Sequence, residues 1–129
     1  MIEKVDLNSD LGEFYGTYDE KHDSRIMPYI TSCNIACGFH SGDPVAIMKT
    51  IKMAVKHKVA IGAHPSFPDL QGFGRRTMNL TTEELEASVL YQISAVKGMV
   101  EAVGAKLHHV KPHGALYNLA SKDKNTAIG

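Results

Sequence analysis

The sequence predicts an α/β fold built from parallel (βα) repeats, about half of a (βα) barrel. Three observations predict it. Short apolar runs alternate with helical patterns in the order βαβαβαβ, with a further helix beginning at the end. Strands joined by crossover helices lie parallel, because parallel neighbours need a connection of that length. Each strand also carries polar residues on one face, whereas an open sheet covered by helices on both sides reads apolar on both. Polar faces turned to a common interior fit a barrel whose mouth holds a reaction site. A complete barrel takes about 250 residues, so the 129 residues of this chain are expected to form one domain, a C-terminally truncated half-barrel.

The first strand is predicted over residues 3–8. A polar loop leads to a weakly patterned helix over residues 21–27, which Pro28 ends or kinks. "SCNIAC", residues 32–37, is the second strand, and the turn "GFHSGD" follows it. Asp43 is a good N-cap and Pro44 holds the favoured first helical position, so the second helix runs over residues 44–58. "VAIGAH", residues 59–64, is the third strand. The long loop after it carries Pro65, Pro68, Gly72 and Gly74. Thr81 with Glu84 forms a capping box, and Gly104 is placed to end the helix that Thr81 opens. "KLHHV", residues 106–110, is the fourth strand.

Composition narrows the function classes. At 43% hydrophobic and 22% charged residues, the chain has ordinary soluble usage, which argues against disorder and membrane insertion. Lys plus Arg equals Asp plus Glu at 14 each, and no basic stripe interleaves with aromatics, so nucleic acid is not expected as a partner. "MIEKVDLNSD" turns polar before any apolar run long enough for a signal peptide, and no stretch approaches transmembrane length. A cytoplasmic location is expected. Cys33 and Cys37 match neither a redox nor a zinc spacing and read as small buried residues.

Side chains alternate across a strand, which sorts the residues by face. Asp6, Asn8 and Asp10 share one face of the first strand, and Val5 and Leu7 are expected on the other, against helices. Asn34 and Ala36 oppose Ile35. Ala60, Gly62 and His64 oppose Val59, Ile61 and Ala63, and His109 and Lys111 oppose Val110. Active sites of (βα) barrels collect at the C-terminal strand ends, and Asp10, His40, His64 and His113 all fall there.

Four motifs in order, "DLNSDLGE", "NIACGFHSGD", "AIGAHPSFPDLQGFGRR" and "HHVKPHGALYN", closely resemble the N-terminal half of the LamB/YcsF family, the 5-oxoprolinase A subunits. The resemblance covers essentially the whole chain. It implies a distorted (βα) barrel related to the polysaccharide deacetylase and glycoside hydrolase barrels. It also implies that the protein acts with partner subunits B and C, opening the lactam of 5-oxo-L-proline to L-glutamate with ATP. The chain ends near the family's midpoint, so an open edge of strand four is expected, available for self-association.

Amide hydrolysis needs an activated nucleophile, a site for the developing oxyanion and a proton for the leaving nitrogen. No Gly-x-x-x-x-Gly-Lys-Ser/Thr or Gly-x-Gly-x-x-Gly loop occurs, so phosphate handling is expected to be shared with or supplied by partners. No Gly-x-Ser-x-Gly elbow occurs either, which leaves water as the nucleophile. Asp10, His40, His64, Lys111 and His113 are the candidate catalytic residues. Asn8, Glu13, Asn34, Arg75 and His109 are candidates for holding substrate. Lys111 either grips a carboxylate or phosphorylated group or pairs internally with Asp6 or Asp10. Arg75 and Arg76 are either an anion fork or two solvated surface cations. Glu13 is either an orienting group or the cap of a turn. A divalent metal is a further expectation, with Asp10, His40 and His64 or His113 as its ligands. His109 and His113 stand four apart, but Pro112 makes a shared helical face improbable. His22 and His57 are read as solvated, and His108 as facing core or helix. Two other functions fit the same residues: a stand-alone metal-dependent hydrolase such as a carbohydrate deacetylase, or an inactive fragment that only binds a partner.

Overall fold

A computed structural model describes residues 3–14 and 20–128. Its elements, in chain order, are β1 (Asn8–Leu11), α1 (Glu20–Ile26) with a 3-10 turn (Met27–Tyr29), β2 (Ser32–Ala36), α2 (Pro44–Lys56), β3 (Ala60–His64), α3 (Thr82–Ala102), β4 (His109–Val110), α4 (Gly114–Ala120) and α5 (Lys124–Ile128). The strands form one parallel sheet in the sequential order β1-β2-β3-β4. The register sets Asp10, Asn34, Gly62 and His109 opposite one another in a single row across all four strands.

The two faces of this sheet differ as the alternation predicts. Leu11, Cys33, Ile35, Ile61 and Ala63 point to one side, where Ile47, Ile51 and Ala54 of α2 and Val96 and Val100 of α3 close the core. Burying such side chains stabilises the fold by roughly 1.5–3 kcal/mol each for the larger ones. The other side carries the polar row. A second, smaller cluster of Phe67, Leu85, Ala115 and Leu116 fastens the loop after β3 to α3 and α4.

Strand one differs from the expectation. It begins at Asn8, and Val5 and Leu7 are 71% and 53% exposed rather than packed on helices. The cause is register: β2 starts at Ser32, opposite Asn8, so earlier residues have little strand to pair with. Before Asn8, the Leu7 carbonyl accepts from the Thr31 and Ser32 N–H groups. Strand four is also shorter than expected, His109–Val110, although His108 and Lys111 donate backbone N–H groups to Ile61 and Ala63 on either side of it. Part of the polar loop expected after strand one falls on residues 15–19, outside those described.

Helix boundaries follow local chemistry. Asp43 accepts from the Ala46 N–H and Pro44 opens α2, while Lys58 in a left-handed conformation (φ 57°) stops it two residues sooner than expected. The Thr81 hydroxyl accepts from the Glu84 N–H at 3.1 Å, and the Glu84 carboxylate accepts from the Thr81 N–H at 2.8 Å. Gly104, with φ 82°, takes the left-handed position just past α3. Thr81→Ala is expected to lower stability by about 1 kcal/mol while Thr81→Ser costs little. Denaturant midpoints check this, and an unchanged midpoint for the alanine variant would discard the capping role.

Candidate functional site

The polar row is tied together by Asn34, which is fully buried. Its Nδ2 donates to Asp10 Oδ1 at 2.8 Å and to Asn8 Oδ1 at 2.6 Å, and its Oδ1 accepts from His109 Nε2 at 2.6 Å. His109 reaches Asn34 by crossing over Gly62. A Cβ on Gly62 would lie 2.2 Å from His109 Nε2, so a larger residue there would expel the imidazole. Lys111 Nζ stands 3.2 Å from Asp10 Oδ1, with 44% of its side chain exposed. Of the two readings for Lys111, the internal pair with Asp10 is thus present. Asp6 instead accepts from the hydroxyls of Thr31 and Ser32.

Beside this row, at the C-terminal ends of the strands, four residues meet. Glu13 follows β1, His40 lies on the turn after β2, His64 ends β3, and His113 follows β4 as the residue before α4. Glu13 Oε1 is 3.0 Å from His40 Nε2, 3.3 Å from His64 Nε2 and 3.2 Å from His113 Nδ1. His64 Nε2 and His113 Nδ1 are 3.1 Å apart. The His40 and His113 rings stack with centroids 3.7 Å apart, and His64 meets each edge-on. All three histidines are buried.

Each is aimed by its surroundings. His64 Nδ1 bonds the Lys111 carbonyl and His113 Nε2 the Phe73 carbonyl, the latter at 2.7 Å; a carbonyl only accepts, so both nitrogens carry the proton. Gly74, with φ 66°, allows a close approach, since a Cβ there would lie 2.8 Å from that of His40. Phe73 itself has φ 55°, a conformation that costs a non-glycine residue roughly 1–3 kcal/mol. Buried Asp23 of α1 accepts from the Gly12 N–H at 3.0 Å and so pins the turn that presents Glu13.

The electrostatics are those of one anion among imidazoles. Burial alone pushes the Glu13 carboxyl up. Hydrogen bonds from His113, His40 and His64 outweigh it and hold Glu13 far below the usual carboxylate range. Burial pulls His40 below the ordinary imidazole value despite Glu13. Burial acts on His113 in the same direction, but Glu13 and the Phe73 carbonyl overcome it and raise His113. Burial, followed by the neighbouring His108, lowers His109.

The loop after β3 is braced by residues that the sequence reading missed. Gln92 of α3 is fully buried and grips the Ser66 backbone, accepting from its N–H and donating to its carbonyl, each at 2.9 Å. Asp69 accepts from the Gly72 N–H at 2.9 Å and forms an ion pair with Arg76. The signal for Asp69 was present in "PDLQG", an Asp three residues before a Gly, which is turn chemistry. Gln92 gave none, since a lone polar residue in a helix reads as solvated.

Some expectations change and others hold. The group that surrounds a common point with His40, His64 and His113 is Glu13. Asp10 stands 3.6 Å from His64 Nε2 and is bound to Lys111 and Asn34. Asn8, on the polar face, joins Ser32 and Asn34. His108 is exposed and lies 2.9 Å, nitrogen to nitrogen, from His109, because the strand is too short to carry it against a helix. Arg75 is exposed, with its guanidinium 5.1 Å from the centre of the Phe73 ring, while Arg76 is committed to Asp69. His22 is exposed and near Asp23, and exposed His57 bonds the Met53 carbonyl. Cys33 and Cys37 are buried and free. Among the described residues no helix is long and apolar enough to cross a membrane.

Residues 5–128 match the sequence profile of the LamB/YcsF family. The chain belongs to the LamB/YcsF family. Its relatives include the 5-oxoprolinase A subunit of Bacillus cereus (strain AH187), 55% identical over 95% of this chain and 49% of the relative. That of Alkaliphilus metalliredigens (strain QYMF) is 56% identical over 96% of this chain and 48% of its own. A crystal structure of a lactam utilization protein from Thermus thermophilus superposes with a TM-score of 0.92 at 55% identity, covering 97% of this chain and 51% of that one. The chain thus spans about half the length of the LamB/YcsF relatives it matches.

The brace on the long loop has a pH signature. Hydrogen bonds from Arg76 hold Asp69 at about 2, below the ordinary aspartate value. A depressed carboxylate contributes stability above its unfolded value and loses it as pH falls through the folded one. The stability gap between the native chain and Asp69→Asn is therefore expected to be full above pH about 4 and to close towards pH 2. Chemical denaturation at stepped pH measures it, and a gap that stays constant would reject the ion pair as its source.

Proposed function

We propose that this chain supplies the N-terminal half of the reaction chamber of an ATP-dependent 5-oxoprolinase, which opens 5-oxo-L-proline to L-glutamate in the cytoplasm together with B and C subunits. The observation that carries this reading is the convergence of Glu13, His40, His64 and His113 beside the Asp10–Lys111 pair, all at the strand ends. The names of its relatives, 5-oxoprolinase A subunit and lactam utilization protein, support 5-oxoproline as the substrate. The sequential strand order, with the apolar core on one face and the polar row on the other, supports a curved sheet that forms half of a distorted barrel related to the polysaccharide deacetylases.

The roles follow from placement. An open pocket of about 360 Å3 is lined by Asp10, His64, Lys111 and His113 together with Tyr117 and Asn118. Lys111 is the cation that holds the carboxylate of 5-oxoproline there, with Asp10 and Asn34 fixing its position. The Glu13 cluster activates the water that adds to the ring carbon, and the proton it gathers returns to the ring nitrogen as the carbon–nitrogen bond breaks. Asn8 and His109 bond Asn34 and, like Arg75, are not among the side chains that line this pocket. ATP, when bound, would supply a phosphoryl group to the lactam oxygen and make the ring carbon a better electrophile; C–N cleavage would then leave an acyl phosphate, which a second water would hydrolyse to glutamate and phosphate. No phosphate cradle occurs in this sequence, so the nucleotide is held largely by the partner subunits. The same cluster also fits a metal-dependent deacetylase, which would release acetate from acetylated sugars without ATP.

The deciding assay combines the full-length protein carrying this sequence with B and C subunits, 5-oxo-L-proline and ATP, and measures glutamate. Glutamate release is expected, and its absence from the complete mixture removes the assignment. In that mixture Lys111→Met is expected to raise KM for 5-oxoproline by about 10- to 100-fold, the worth of one hydrogen bond to a charged group. An unchanged KM would take Lys111 out of substrate binding.

A further inference from the structure

We propose that Glu13, His40, His64 and His113 form a binding site for one first-row divalent transition-metal ion, with Zn2+ as the probe. The proposal goes beyond the lactam reading and does not depend on it. Its starting point is the direction of the lone pairs. With the far nitrogens of His64 and His113 donating to carbonyls, their other nitrogens present lone pairs when the rings are neutral. Those lone pairs belong to Nε2 of His64 and Nδ1 of His113, which face each other at 3.1 Å. Both also lie within 3.3 Å of the Glu13 carboxylate oxygen. With the rings neutral, three acceptors at such distances repel unless a proton or a metal ion joins them.

A metal ion fits the spacing. Ligands bound at about 2.1 Å in tetrahedral geometry stand about 3.4 Å from one another. The four separations given above run from 3.0 to 3.3 Å, and all four donor atoms lie within 4.8 Å of one another. The carbonyl bonds to His64 and His113 are the support that metal-bound histidines characteristically receive on their second nitrogen. His40 lacks it: its Nδ1 is buried without a partner among the described residues. Three imidazoles and one carboxylate select zinc, cobalt or nickel over magnesium and calcium, which prefer all-oxygen shells. Such an ion lowers the pKa of bound water.

The test uses the 129-residue chain, stripped with chelator and verified as folded by circular dichroism. Titration calorimetry with ZnCl2 is expected to give one ion per chain, and CoCl2 to give the intense visible bands of a four-coordinate nitrogen and oxygen site. His64→Gln and Glu13→Gln are each expected to weaken Zn2+ by at least about tenfold, whereas His57→Gln, at an exposed position, leaves it unchanged. Should a variant fail to fold, the native chain still decides through its stoichiometry and its cobalt spectrum. No stoichiometric ion, a six-coordinate cobalt spectrum, equal affinity for MgCl2, or undiminished Zn2+ binding by the folded variants would each overturn the proposal.

Discussion

Parallel register is the constraint on which this molecule turns. Because β1 to β4 run the same way and advance together, Asp10, Asn34, Gly62 and His109 fall in one row. The strand ends beyond that row deliver Glu13, His40, His64 and His113 to one place. A slip by one residue on any strand would exchange its faces, sending a polar side chain into the core of Ile35, Ile51 and Val96. The apolar face thus selects the register, and the register assembles the polar site.

Burying a carboxylate and three imidazoles together carries a desolvation cost, which their mutual hydrogen bonds offset, and the surroundings show what holds the rings in place. Each of two histidines is anchored to a backbone carbonyl, and Phe73 adopts an unfavourable backbone angle to provide one of these. The loop that carries this residue is braced by the Asp69–Arg76 pair and by Gln92 on Ser66, all outside the cluster. Rigidity in the loop therefore comes from ordinary turn and ion-pair chemistry. The cluster rests on a frame whose members stand apart from it.

Much of this was legible in the residues. The alternation of β and α elements, the Thr81 capping box, Asp43 and Pro44 opening α2, and the polar parity of Asn34, Gly62, His64, His109 and Lys111 all follow from local rules that tertiary packing does not overturn. Strand ends were less legible, because a strand extends only as far as its neighbour does, and residues 3–7 have little opposite them. The partition between Asp10 and Glu13 was hidden for a similar reason. The two lie within three residues of each other at the end of the first strand, and only the turn at Gly12, pinned by Asp23, sends Glu13 to the imidazoles. Gln92 acts across 26 residues of sequence, a distance over which periodicity carries no information.

The two cysteines behind the sheet have a consequence for handling and for kinetics. Burial pushes both thiols up to about 12, so neither forms thiolate, the nucleophilic species, near neutral pH. An alkylating reagent should pass over the native chain and mark Cys33 and Cys37 only when the interior opens. The rate of labelling is then a clock for breathing of the core, readable without any added probe.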